Sequence, residues 1–338
     1  MLHSTPLILG LLDPLYTFFG MLIRWLYALI PNYGLAIIFF TIFLRAIIIP
    51  LYVKNHKVQL KQMQLTDEIN ELKRYYANDR QGFSMAQMEL FKKHKISMMG
   101  GCLPSLLGLI FIWPIWQIIS CPLHYIMNVG REQIAQIAAK LQSLSLISEA
   151  EAANAFRNDA VIVQALRSNG PAFTEVVKNG WMRADQLPDL NFLGMNLGLR
   201  PSFNPAQVFG TEIATYLPLL LIPIVAVATS FIVSKVSQWT APTFIQAKKS
   251  KELAAKNPAR DVAPDQTQGM MKTMFWMMPV FTLFTVFSTP AAMGLYWIFG
   301  NVMMVVQSYT LYALYTKPVL NRIGEQEVKL SRLAERSK

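Results

Sequence analysis

Residues 41–50 read TIFLRAIIIP and embed Arg45 in a run that otherwise belongs in hydrocarbon. The apolar run covers residues 33–53, about 21 residues, which at about 1.5 Å per residue just crosses a bilayer core of roughly 30 Å. Arg45 is its one formal charge and lies about nine residues, or roughly 13 Å, deeper than Lys54 at the run's basic edge. A cation at that depth either snorkels to the headgroups and thins the leaflet, or faces a water-filled concavity. Pro50 deletes the backbone bond to Ala46 and bends the helix just beyond Arg45, which favours an opening there.

Four more apolar runs follow, at residues 103–119, 216–233, 274–288 and 291–314, and the hydrophobic content is 53%. Together these exclude an ordinary soluble domain. Because irregular backbone cannot face lipid, the expected fold is an all-α integral membrane protein, a bundle of five transmembrane helices. The last two runs are joined only by STPAA, residues 288–292, and form a tight hairpin.

Lys and Arg set the orientation. Residues 54–101 carry nine, 235–273 carry seven and the tail from Lys317 carries six, whereas 122–215 carries seven against eight acids. The more basic segments belong on the cytoplasmic side, so the N-terminus is expected outside and the C-terminus inside. The resulting division is an external amphipathic helix (1–31), span 1 (32–53), a cytoplasmic helical hairpin (54–101), span 2 (102–121), an external helical loop (122–215), span 3 (216–234), a cytoplasmic linker (235–273), span 4 (274–289), span 5 (290–315) and a basic cytoplasmic tail (316–338). The net charge of +11 then sits mostly on one face, where anionic headgroups or an RNA-bearing partner can dock; no DNA partner is expected.

Local signals refine these segments. The opening MLHSTPLILGLLDP lacks the basic start and small-residue cleavage pattern of a signal peptide, and has no cysteine for lipid attachment. Asp13 and Pro14 read as N-cap and first position of a helix over 15–30, whose polar stripe of Thr17, Gly20 and Arg24 places it in the outer interface. In 54–101, Leu65, Ile69, Leu72 and Tyr76 form one apolar stripe, and Ser84 with Gln87 makes a capping-box pattern opening a second helix that carries Met88 and Phe91. SMMGG, residues 97–101, ends the hairpin. In the external loop Ile134, Ile137, Leu141 and Leu144 share a helical face, Ser148 and Glu151 form another capping box, and 191–205 reads as irregular. That loop is too small to be robust alone and is expected to lean on the bundle. Residues 241–269 read as a flexible linker, and the tail from Asn321 as a short basic helix.

No catalytic arrangement is recognisable: there is no GxSxG, HExxH or phosphate loop, and no Asp, Glu or His within the spans. No cofactor is expected. His3, His56, His94 and His124 lack metal-ligand spacing, and Cys102 and Cys121 lie roughly 28 Å apart along a helix, too far to bridge. The spans do contain neutral polar residues: Thr41 one turn before Arg45, Gln117, Thr229, Ser230, Ser234, Trp297, Asn301 and Gln307. Each alone serves as helix–helix hydrogen bonding; together they can line a wet cavity.

Three separated stretches carry a family resemblance: NYGLAIIFFTIFLRAIIIPL (32–51), GGCLPSLLGLIFIWPIW (100–116) and MMPVFTLFTVFSTPAAMGLYWIFGNVMMVVQ (277–307), with LGMNLGL (193–199) ahead of the third span. In this order and topology they resemble the YidC family of bacterial membrane protein insertases. The resemblance implies a plasma-membrane, multi-pass protein whose five-helix core holds a polar groove, closed outside and open to cytoplasm and lipid, with Arg45 as the groove arginine. It implies that Trp116 and Gln117 contact the passing substrate and that Trp297 and Asn301 belong to the LYWxxxN pattern of the last span. Ser230 and Ser234 stand where relatives often carry Gln. Implied partners are nascent membrane proteins, the ribosome through basic cytoplasmic segments, the SecYEG channel and the lipid bilayer. The large external β-domain of some relatives is absent, and the 122–215 loop is longer and more helical than in the minimal form. A polar-lined channel or small-solute transporter is the main rival reading, and an assembly factor that only holds subunits together is a third; apolar outer halves of the spans argue against a continuous pore.

Overall fold

The computed structural model describes residues 7–96, 103–246, 248–249 and 266–325, and these are almost wholly helical. Three helices are long and apolar enough to cross a membrane, Tyr33–Gln64, Ile213–Thr240 and Ala291–Glu325, and Ile110–Ser120 and Trp276–Ser288 are shorter apolar helices. The protein is therefore all-α and membrane-embedded, and each expected span falls on one of these helices. SMMGG, Cys102, most of the 241–269 linker and the tail beyond residue 325 lie outside the described residues.

Backbone contacts group into two compact units. The first comprises Met1–Arg45, Leu107–Thr229 and Val280–Gly300, and holds the main apolar core. Its first helix, α1 (Leu7–Leu29), corrects an expectation: it begins ahead of Asp13, and Pro14 lies inside it. The proline costs one backbone bond, to the Gly10 carbonyl, and the apolar LILGLL before it offers no polar break where a helix would stop. Phe19, Ile23 and Leu26 form the buried row of α1, with Phe19 edge-on to Phe40 and Phe111 at 6.0 and 5.8 Å between ring centroids. Part of the polar stripe also faces protein, since Arg24 Nε donates to the Tyr125 carbonyl at 3.2 Å and Gly20 lies against the Tyr125 ring. Phe18, Met21, Trp25 and Leu29 remain exposed on the rest of the helix.

Helix α2 (Tyr33–Gln64) and helix α5 (Leu103–Ser120) are tied by the Tyr33 hydroxyl, which donates to the Ile119 carbonyl. After α5 come α6 (Pro122–Tyr125), α7 (Arg131–Ser143), α8 (Glu149–Ala153), α9 (Ala160–Ser168) and α10 (Gly170–Lys178). Ile134, Ile137 and Leu141 of α7 meet Ile162, Val163 and Leu166 of α9 and Val176 of α10 in one buried cluster, continuous with the core of the spans. The 122–215 segment thus packs against the apolar helices of this unit, as expected. Leu144 departs from its expected stripe: it is the C-cap of α7 and is exposed. The Ser148–Glu151 capping box does open α8.

Residues 191–205, expected to be irregular, contain a two-residue antiparallel hairpin, β1 (Asn191–Phe192) and β2 (Met195–Asn196), turned by Leu193 and Gly194 at φ of 51° and 79°. The chain leaving this hairpin caps a helix nearly a hundred residues further on. After α11 (Pro205–Val208), α12 (Ile213–Leu219), α13 (Leu221–Thr240) and α14 (Gln266–Ser288), helix α15 (Ala291–Leu311) starts with open N–H groups. Two of these are satisfied by the loop: Ala291 N donates to Leu199 O at 2.8 Å and Ala292 N to Leu197 O at 3.0 Å. The small residues AAMG also let α15 approach closely, since a Cβ on Gly294 would stand 2.4 Å from Ile222 Cγ2 of α13.

The second unit comprises Ala46–Leu106, Ser230–Pro279 and Asn301–Lys338. Its hairpin, α3 (Thr66–Tyr75) and α4 (Arg80–Lys93), has a thin core of Leu65, Phe91 and Ile96. The expected Ser84 cap is overturned: α4 is capped five residues earlier, by Asp79, whose Oδ1 accepts from Gln81 N at 3.1 Å and Gly82 N at 2.8 Å. A carboxylate at the positive helix end outcompetes a serine hydroxyl further on. The far end of α2 meets the continuation of α15, where the chain passes through a π-helical turn, Tyr312–Thr316, and His56 Nε2 lies 2.8 Å from Thr316 Oγ1.

Candidate functional site

Arg45 is half-buried on α2, with its guanidinium against the backbone of α15. A Cβ built on Gly300 would lie 3.2 Å from Arg45 Nη2, 3.9 Å from Nε and 4.0 Å from Cζ. Among the described residues no carboxylate forms an ion pair with Arg45; the pairs there are His94–Glu68, Lys140–Glu175 and Arg183–Asp185. One turn earlier Thr41 is fully buried, with its hydroxyl donating to the Ile37 carbonyl at 2.7 Å. Trp297 is half-buried and packs on the same core.

The remaining sequence candidates fall into two further groups. On α5, Trp116 pairs with Trp113 at 5.4 Å between centroids, and Trp116 Nε1 is buried with no hydrogen-bond partner among the described residues. Ser120 Oγ, one turn on, is in the same state; sequence reading passed over this residue, since serine in an apolar helix ordinarily bonds its own backbone. Gln117 points elsewhere: its amide donates to the Phe156 carbonyl and to Cys121 Sγ, each at 3.0 Å, tying α5 to the 122–215 segment. In the second unit Ser230 and Asn301 come together, Asn301 Nδ2 donating to Ser230 Oγ at 3.0 Å, and Ser234 is buried a turn beyond Ser230.

Asp159 was not singled out from the sequence. It is almost wholly buried, and its two oxygens accept from Leu123 N at 2.9 Å and His124 N at 3.0 Å, capping α6. Burial pushes its carboxyl up to about 8, against the pull of those two N–H groups. The folded chain therefore holds a proton that the unfolded chain releases near the ordinary carboxylate value, and stability falls as pH rises from about 4 to about 8, by at most about 1.4 kcal/mol per unit, and levels off above. Hydrogen exchange of α9 amides across this range is expected to accelerate with pH beyond the chemical rate, and to lose that excess in Asp159→Asn. A pH-independent opening equilibrium in the parent chain would contradict this.

Residues 25–318 match the family described as 60Kd inner membrane protein. The chain belongs to that family. Proteins named membrane protein insertase YidC are similar to it: one from Caldanaerobacter subterraneus subsp. tengcongensis is 37% identical over 99 residues, 29% of this chain and 48% of that protein. Another, from Anaeromyxobacter sp. (strain Fw109-5), is 36% identical over 121 residues, 35% of this chain and 21% of its own length. A third, from Fusobacterium nucleatum subsp. nucleatum, is 34% identical over 90 residues, 27% and 44%. Each alignment spans less than half of the relative's length. The resemblance seen in the three sequence stretches is thus a family relationship, and with the apolar helices it makes the chain a multi-pass bacterial membrane protein.

Proposed function

We propose that this protein inserts segments of nascent membrane proteins into the bilayer without covalent chemistry, with Arg45 as the charge that receives the polar tail of the substrate. The observation that carries the reading is a half-buried guanidinium with no carboxylate partner among the described residues, in a family whose similar members bear the name insertase. A hydrophobic segment with a short external tail must drag that tail through hydrocarbon, where each unpaired polar group costs several kcal/mol. A hydrated groove reaching part-way shortens the dry distance. Arg45 keeps water in it and pairs transiently with acidic tail residues, while the apolar segment leaves sideways into lipid by partition.

In this proposal five helices span the membrane, the N-terminus and the 122–215 segment lie outside, and the 54–101 hairpin, the 235–273 linker and the tail lie in the cytoplasm. Thr41, Trp116 and Trp297 flank the path near Arg45, and Gln117 anchors the external segment beside it, while within the second unit the Ser230–Asn301 pair and the buried Ser234 supply polar groups between helices. The hairpin, with exposed Met85 and Met88 above a thin core, offers an adaptable apolar surface for first capture, and the basic segments meet the ribosome or SecYEG. Photo-crosslinkers at positions 45 and 116 are expected to label a ribosome-stalled single-span substrate. Solute flux through the protein with no such crosslinks points instead to a channel, and neither result to an assembly factor.

A further inference from the structure

Glycine is disfavoured inside a helix, yet Gly300 sits within α15 with a backbone that any L-residue can adopt. Its reason must lie in what surrounds it. The three nearest atoms to a Cβ at this position all belong to the Arg45 guanidinium. Gly294, six residues earlier on the same helix, is different: its Cβ would collide with the side chains of Ile222 and Val286, which is ordinary close packing of apolar helices. One glycine makes room for a neighbouring helix, the other for a charge.

We propose that Gly300 is the positioning residue for Arg45, a side-chain-free seat on α15 that fixes the depth and direction of the guanidinium. This rests on the reading of Arg45 as the charge that receives the substrate tail. An arginine held in place has less rotamer freedom to lose when it engages an anion, and a residue that pushes it off the seat both misplaces the charge and loosens it. A methyl group would force a shift of only a few tenths of an ångström on the far end of a flexible side chain, whereas leucine fills the seat.

The test compares Gly300→Ala and Gly300→Leu in the full-length protein, alone and combined with Arg45→Ala, using one single-span substrate with an acidic external tail and a matched one with a neutral tail. Gly300→Ala is expected to change insertion little. Gly300→Leu is expected to depress the acidic-tail substrate to the level of Arg45→Ala while sparing the neutral one, and to add nothing once Arg45 is alanine. Loss of both substrates alike, persisting in the Arg45→Ala background, would mean a packing glycine and overturn the proposal. If Arg45→Ala itself leaves insertion intact, the reading of Arg45 fails while the seat is still decided by labelling. For that arm, Arg45→Cys is placed in a Cys102→Ser, Cys121→Ser background and its modification by a cationic thiol reagent is timed. Gly300→Leu is expected to slow the reaction several-fold, and an unchanged rate overturns the seat.

Discussion

Replacing Arg45 with alanine is expected to lower insertion of substrates with acidic external tails by roughly tenfold, and Arg45→Lys to retain most of it. The size follows from Coulomb's law: opposite charges about 4 Å apart gain about 1 kcal/mol in water and about 4 kcal/mol at an effective dielectric constant near 20. The proposed hydrated groove lies between these limits and nearer the watery one, so a gain of about 1.4 kcal/mol is expected, roughly a factor of ten in the population of a tail poised to cross. Lysine keeps the charge and reach but loses the fork of donors, so its deficit is smaller. The discriminating measurement is a substrate series whose tails differ only in the number of acids, inserted into vesicles containing each variant. Equal insertion by Arg45→Ala across the series would leave hydration as the only role for this position.

What the sequence made legible was whatever depends on composition over a span of helix. Five apolar runs became apolar helices because lipid enforces internal backbone pairing, and the Ser148–Glu151 box formed because both its partners are local. Errors arose where two local signals competed. Asp13–Pro14 looked like a start but sits within an apolar stretch that continues the helix, and Ser84–Gln87 lost to Asp79 just upstream. Arg45 stood out as a charge in hydrocarbon, whereas Gly300 and Asp159 did not. Their roles come from residues about 255 and 36 positions away, the guanidinium on α2 and the N–H groups of Leu123 and His124. No periodicity encodes such distant partners. The same holds for Gln117, which sits in an aromatic-rich stretch yet bonds the carbonyl of Phe156.

A second large effect is expected at the N-terminal end of α2. Gly34 lies in its first turn, and a Cβ there would stand 2.3 Å from Phe192 Cγ, 2.4 Å from Cδ2 and 2.9 Å from Cβ. Neither a helix backbone nor a β-hairpin side chain can yield that distance locally, so Gly34→Ala must expel the Phe192 ring. Overpacking of this kind costs roughly 1–3 kcal/mol, although alanine is otherwise the better helix former by up to about 1 kcal/mol. The consequence spreads because Phe192 belongs to the hairpin that leads directly into Leu197 and Leu199, the acceptors for the first N–H groups of α15. Releasing the hairpin therefore unpairs the start of that helix. Gly34→Ala is expected to lower the thermal midpoint in detergent by several degrees and to speed chymotrypsin cleavage after Phe192, whose ring is then expelled. Phe192→Ala on its own should be destabilising through lost packing, yet it removes the obstacle, so the double variant should be more stable than the sum of the two losses by about 1 kcal/mol or more. Strict additivity would mean that the two residues do not share this contact, and that the loop is held to α15 by its backbone bonds alone.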